Sequence, residues 1–149
     1  MTTIAYRNGI MASDSMASEE DYLQKVDCQK IWKIKDTLIG TAKGSYAGLV
    51  FIEWFKGKVP KDKMDWLDQG DDFETLVVDT KGTILTYNRY LVPDRHGQKE
   101  FWAIGSGAKC AMVAMECGKT AEQAVRLAIK YDLYSGGRIQ TMRLDQLKK

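Results

Sequence analysis

Asp132-Leu133-Tyr134-Ser135-Gly136-Gly137 joins two segments whose apolar residues repeat with different periods. Before it, Ala121, Ala124, Val125, Ala128 and Ile129 recur at i, i+3, i+4, i+7 and i+8, the stripe of an amphipathic helix. After it, Arg138 to Leu144 alternates as a strand. The six residues therefore end a helix at Asp132, turn the chain on Gly136-Gly137 and leave a carboxylate and a hydroxyl at the junction. Thr120 with Gln123 forms a capping box that opens this helix. An earlier helix spans Ala108 to Cys117 and stops at Gly118. It is preceded by a short strand, Phe101-Trp102-Ala103-Ile104, that ends on Gly105-Ser106-Gly107.

The other end of the chain is built from strands. Thr2 to Tyr6 and Ile10-Met11-Ala12 flank Arg7-Asn8-Gly9, and Asn-Gly between β-prone runs predicts a hairpin that Asp14 closes. Residues 15–27 are polar and read as a loop with room for a strand near its end. Lys30 begins an alternating strand to Ile34, and Thr37 to Ala42 is a buried-looking one. Ser45 is placed to cap a helix to Phe55 whose Ala47, Val50, Phe51 and Trp54 share a face. In residues 56–72, rich in Lys and Asp, Met64, Trp66 and Leu67 suit a short helical turn. Phe73 to Val78 and Thr83 to Tyr87 form a second hairpin, and residues 88–100 read as irregular. Strands, a helix, strands, a helix pair and a strand make a layered α+β pattern with mainly antiparallel strands.

A chain of 149 residues with 44% apolar content suits one compact domain, residues 1–149. The net charge of +2 gives no general attraction to nucleic acid. No apolar run approaches the roughly 20 residues of a membrane span, and the start lacks a basic segment followed by an apolar one, so a cytoplasmic protein is expected. The three cysteines, Cys28, Cys110 and Cys117, form no close pair. Cys110 and Cys117 lie two helical turns apart and read as buried structural thiols on one face. His96, the one histidine, reads as part of a turn without a second ligand to support a metal role.

Thr2 follows Met1 directly. If Met1 is removed, the Thr2 hydroxyl and its own α-amine sit on adjacent carbons. An α-amine with a pKa of about 7.7–8.0 is partly neutral near pH 7 and can take the hydroxyl proton. Such a nucleophile needs no histidine, metal or cofactor. Lys30 beside Thr2 would favour the neutral amine by charge repulsion, and a buried Lys30 needs a counter-ion, for which Asp14 is the candidate. Lys25 and Lys33 compete with Lys30 for the role, and an ordinary surface pair is the plain alternative. Asp132 and Ser135, with Ser106 from the glycine turn, could hold the amine by hydrogen bonds; equally, they suit a helix end and a turn. Backbone N–H groups at Lys43 and Gly44 could stabilise an oxyanion at the start of the next helix.

Taken together, Thr2-Thr3-Ile4, Asp14, Lys30, Gly105-Ser106-Gly107 and Asp132-Leu133-Tyr134-Ser135-Gly136-Gly137 resemble the proteasome β-subunit family, nearest to the bacterial HslV peptidase and its smaller bacterial or phage-encoded homologues. The resemblance covers the first and last thirds of the chain in register. It implies a four-layer αββα sandwich of the N-terminal nucleophile (Ntn) hydrolases. It implies a threonine peptidase in which Thr2 is the nucleophile, Lys30 with Asp14 tunes its amine, and Asp132, Ser135 and Ser106 support it. It further implies a peptide or unfolded-protein substrate, a homo-oligomeric ring and the possibility of an ATP-driven unfoldase as partner. The rival expectation is a non-catalytic shell or interaction protein of the same fold that retains Met1; a small-molecule amidase of the superfamily is a third. Residues 16–20 and 43–47 are the expected specificity lining, by resemblance alone. The chain is short for the family, and Lys43 stands where members usually carry a small residue.

Overall fold

The computed structural model describes residues 2–19, 22–25, 27–42, 45–58 and 73–145. Asn8 (φ 50°) and Gly9 (φ 81°) take the positive-φ geometry of a tight hairpin turn, joining β1 (Thr3–Arg7) to β2 (Ile10–Ser13). β10 (Phe101–Gly105) and β11 (Gln140–Arg143) complete an antiparallel sheet in the order β10-β1-β2-β11. The second sheet is a five-stranded antiparallel meander of β5 (Ile31–Ile34), β6 (Thr37–Ala42), β7 (Glu74–Val78), β8 (Ile84–Tyr87) and β9 (Asp94–Gly97). β3 (Ala17–Glu19) and β4 (Tyr22–Lys25) pair as a separate hairpin.

Alternation decides which face of each strand meets which layer. Ile4, Tyr6, Met11 and Ile104 of the first sheet pack on Ile31, Leu38, Leu76, Val78 and Ile84 of the second, forming the core between the sheets. The opposite face of the first sheet offers Ala5, Ala12 and Ala103. These small residues let α2 (Ala108–Glu116) and α3 (Ala121–Tyr131) lie close, with Ala111, Ala114, Ala124 and Val125 against them. The outer face of the second sheet offers Ile39 and Val77 to α1 (Ser45–Phe55). Phe51 of α1 is fully buried and lies 5.2–6.1 Å, ring to ring, from Trp54, Phe55, Phe73 and Tyr87. The layers therefore run helix pair, sheet, sheet, helix: the α+β, αββα arrangement expected from the sequence.

Several local expectations are corrected. Residues 15–27 contain the β3–β4 hairpin, where polar composition suggested mostly loop. Residues 88–100 contain β9, so His96 sits in an edge strand rather than a turn. Its Nε2 is 2.8 Å from Thr86 Oγ1 and its ring stacks on Trp102 at 4.2 Å, so cross-strand and inter-sheet partners stabilise a segment whose sequence carries no apolar alternation. Cys117 is exposed and Cys110 half-buried, because α2 packs through Ala111, Ala114 and Met115 and the side shared by the two cysteines lies off that face. Met64, Trp66 and Leu67 lie outside the described residues. Among the described residues, no helix is long and apolar enough to cross a membrane.

Candidate active site

β1 brings Thr2 and Thr3 to the end of the first sheet's central pair. Thr2 is 4% exposed and Thr3 is fully buried. Thr3 faces Gly105 of β10 on one side, and on the other its carbonyl accepts the Asp14 N–H at 3.2 Å.

Asp14, the first residue past β2, is fully buried, and both of its carboxylate oxygens accept hydrogen bonds. Oδ1 accepts the Thr3 N–H and a Lys30 Nζ hydrogen, each at 3.0 Å. Oδ2 accepts Lys30 Nζ and the Gly136 N–H, again at 3.0 Å. Lys30, immediately before β5, is 6% exposed and also donates to the Met16 carbonyl at 2.5 Å. Burial disfavours the ammonium and the adjacent Asp14 carboxylate favours it; burial prevails, so the Lys30 pKa lies below its ordinary value of 10.5. Thus Asp14 links the second strand, Lys30 of the other sheet, the Gly136 turn and the backbone just after Thr2.

Asp132 caps the C-terminal end of α3. Its Oδ2 accepts Ser106 Oγ–H and Ser135 Oγ–H, each at 2.6 Å. Ser106 Oγ is also 3.3 Å from the Thr2 carbonyl oxygen, and Ser135 Oγ is 2.7 Å from Thr3 Oγ1. Since Ser135 gives its proton to the carboxylate, Thr3 Oγ–H donates to Ser135. The Asp132 cluster therefore grips the chain start through the Thr3 hydroxyl, and it fixes the Ser106 turn, whose Gly107 N–H donates to the Thr2 carbonyl at 3.5 Å. The turn carrying Ser106 needs its glycines: Gly105 has φ +95°, and a Cβ there would sit 2.0 Å from the Thr2 carbonyl oxygen. A Cβ on Gly107 would sit 1.9 Å from Thr3 Oγ1.

The structure thus brings Asp14, Lys30, Ser106, Asp132 and Ser135 together around Thr2 and Thr3, where β1 begins. Lys33 is not among them; it pairs at the surface with Asp36, at 3.4 Å, and with Asp145. Met1, Lys43 and Gly44, which bear on processing and on the oxyanion, lie outside the described residues, as does Glu20 of the expected specificity lining. Among the described residues no cluster of His, Cys, Asp and Glu is arranged to hold a metal ion.

One neighbour of the site had no place in the sequence reading. Glu74 opens β7, and its Oε2 accepts the Gly105 N–H at 3.3 Å. The available signal was the alternation Glu74, Leu76, Val78, which puts a carboxylate on the strand face that otherwise enters the inter-sheet core.

No family model matches the chain, and no curated protein sequence matches it. Solved structures do. BPH from Thiobacillus denitrificans aligns with a TM-score of 0.70 over 97% of this chain and 98% of its own, at 18% identity. The same protein in complex with epoxomicin aligns with equal coverage and TM-score at 17% identity. HslV from Trypanosoma brucei aligns with a TM-score of 0.68 over 95% of this chain and 97% of its own, at 16% identity. The chain has the HslV-type fold. Within that fold, the residues gathered at the start of β1 lie at the end of the central strand pair, where the helix pair and both sheets meet.

Proposed function

We propose that the protein is a threonine peptidase that hydrolyses peptide bonds through Thr2 after removal of Met1. The observation that carries this reading is the double anchoring of the chain start. Asp14 with Lys30 holds the backbone at Thr3, and Asp132 holds the Thr3 hydroxyl through Ser135 and, through Ser106, the turn whose Gly107 N–H meets the Thr2 carbonyl. A nucleophile that must meet a carbonyl within about 3–3.5 Å gains from such fixed placement.

In the proposed reaction the liberated Thr2 amine takes the Oγ1 proton while Oγ1 attacks the carbonyl carbon. The C–N bond breaks, the proton leaves on the departing amine, and an ester links Thr2 to the acyl fragment. Water, deprotonated by the same amine, then releases the acid and restores the hydroxyl. The Lys30 ammonium, held beside Thr3 by Asp14, disfavours a second positive charge on the amine and keeps more of it neutral. Ser106 and Ser135, bound to Asp132, fix the turn and the strand that aim Thr2. The peptide N–H groups at Lys43 and Gly44 are assigned the oxyanion.

The resemblance to HslV-type peptidases supports the remaining elements of the reading: a homo-oligomeric ring enclosing the sites, an unfolded-protein substrate, a cytoplasmic setting and delivery by an ATP-driven unfoldase. The structure of BPH with epoxomicin suggests an epoxyketone of that kind as a ligand for this site. The test is a Thr2→Ala protein assayed on fluorogenic peptides. Alanine also permits Met1 removal, so the variant isolates the hydroxyl. Loss of turnover with an unchanged circular dichroism spectrum and particle size supports the assignment. Turnover equal to the parent's refutes it.

A further inference from the structure

We propose that Glu74 is a positioning residue for the Thr2 nucleophile, tying the turn that carries Ser106 to the opposite sheet; the role rests on the reading of Thr2 above. Three observations converge on it. Glu74 pairs with Ala42 at the end of β6, so it stands at the end of the second sheet that faces the chain start. Its side chain lies on the same strand face as Leu76 and Val78, which fill the core between the sheets. Glu74 itself is half-buried at the strand's end, and a carboxylate partly withdrawn from water is favoured there when it meets a donor. The donor it finds is the N–H of Gly105, at 3.3 Å, so the hydrogen bond crosses from one sheet to the other.

Gly105 is where the Thr2 backbone and this turn come closest. Its φ of +95° and the collision that a Cβ would make with the Thr2 carbonyl show the two segments already touching. The next residue, Ser106, donates its hydroxyl to Asp132, and the Gly107 N–H donates to the Thr2 carbonyl. β10 is an edge strand of its sheet, so among the described residues no strand on its outer side holds the N–H of Gly105. Glu74 supplies the missing partner. It stops the turn from lifting away from Thr2 and keeps the Ser106 hydroxyl on Asp132 and the Gly107 N–H on the Thr2 carbonyl. Glu74 touches no reacting atom in this scheme; it acts through Gly105 and Ser106.

The test compares the full-length parent with Glu74→Ala and Glu74→Gln. Three quantities are read: kcat and KM on a fluorogenic peptide, amide hydrogen exchange across residues 101–107, and the thermal midpoint. A displacement of about 1 Å at a reacting group costs up to about 100-fold in rate. Glu74→Ala is therefore expected to lower kcat by about 10-fold or more, leave KM within about twofold and accelerate exchange at Gly105. Glu74→Gln, whose amide oxygen still accepts the Gly105 N–H, is expected to recover kcat to within about threefold of the parent. The proposal is overturned if Glu74→Ala keeps the parent's kcat and exchange rates. It is equally overturned if Glu74→Gln is as impaired as Glu74→Ala, or if kcat and KM move together with a lowered thermal midpoint. A parent that neither cleaves peptides nor reacts at Thr2 removes the peptidase reading instead. In that case the exchange measurement still decides whether Glu74 anchors the turn.

Discussion

Replacing Asp14 by alanine takes one fully buried carboxylate from three donors at once: the Lys30 ammonium and the N–H groups of Thr3 and Gly136. The ammonium left behind is 93% buried on its side chain and keeps the Met16 carbonyl among its partners. Removing one member of a buried ion pair typically costs about 3–5 kcal/mol, a large share of the roughly 5–15 kcal/mol that a native protein has. Lys30→Met is gentler. It removes two Nζ hydrogen bonds to Asp14 and one to the Met16 carbonyl but leaves the carboxylate two N–H donors, so its cost is expected at the lower end of the same range, about 3 kcal/mol. The double variant strands no charge, so it is expected to be about 1–3 kcal/mol more stable than Asp14→Ala alone, within the range seen for directly coupled pairs.

Urea unfolding followed by circular dichroism measures all three variants. The pH dependence adds a second arm. Without Asp14, burial of Lys30 goes unopposed by that carboxylate, and its pKa falls further below 10.5. Between that lowered value and 10.5 the unfolded chain binds more protons than the native one, so stability rises with pH. The Asp14→Ala deficit should therefore shrink as the pH rises from neutral toward 10.5. If Asp14→Ala and Lys30→Met cost the same, if the double variant is no better than Asp14→Ala, or if the deficit is flat over that range, the buried pair is not organised as argued.

Gly105→Ala should cost at least about 2 kcal/mol in chemical denaturation, because strain at positive φ is joined by a collision with the Thr2 carbonyl. Gly118→Ala is the control: it shares a positive φ of 90° but has open space around it, so it should cost about 1 kcal/mol. Thr120→Ala removes the hydroxyl that accepts the Gln123 N–H at 3.1 Å and should cost about 1 kcal/mol, or about 3 °C by calorimetry. Burial raises the Tyr6 hydroxyl above pKa 10.0, against a lowering hydrogen bond from the Gly9 N–H. That contribution is whole below pH 10 and is lost as pH rises through the raised value, so Tyr6→Phe should flatten the alkaline fall in stability.

The fold was most legible where local chemistry and tertiary packing agree. Asn8-Gly9 sets its hairpin by backbone geometry alone. The Thr120–Gln123 box and the alanine-rich stripe define α3, which runs from Ala121 to Tyr131. β9 was invisible because Asp94-Arg95-His96-Gly97 is an exposed edge whose partners, Thr86 and Trp102, come from other strands. Of the β3–β4 hairpin, a strand near the end of the polar run was anticipated and β3 was not, for lack of alternation. At the site, no spacing rule could connect residues 2, 14, 30, 106, 132 and 135; they formed a set only through resemblance to a family, and sheet topology supplies the contacts between them. That reading aimed Ser135 at the amine of Thr2, whereas its hydroxyl meets Thr3. Glu74 escaped because its meaning depends on Gly105, 31 residues away on the other sheet.

Intact-mass and peptide-mapping spectrometry of the purified protein after exposure to epoxomicin or a β-lactone tests the peptidase reading most directly. The expected product lacks Met1, carries one probe per chain and shows the modification on Thr2; Thr2→Ala shows none. A protein that keeps Met1 and stays unmodified, or one labelled at another residue such as Cys28 while Thr2 is untouched, would contradict it.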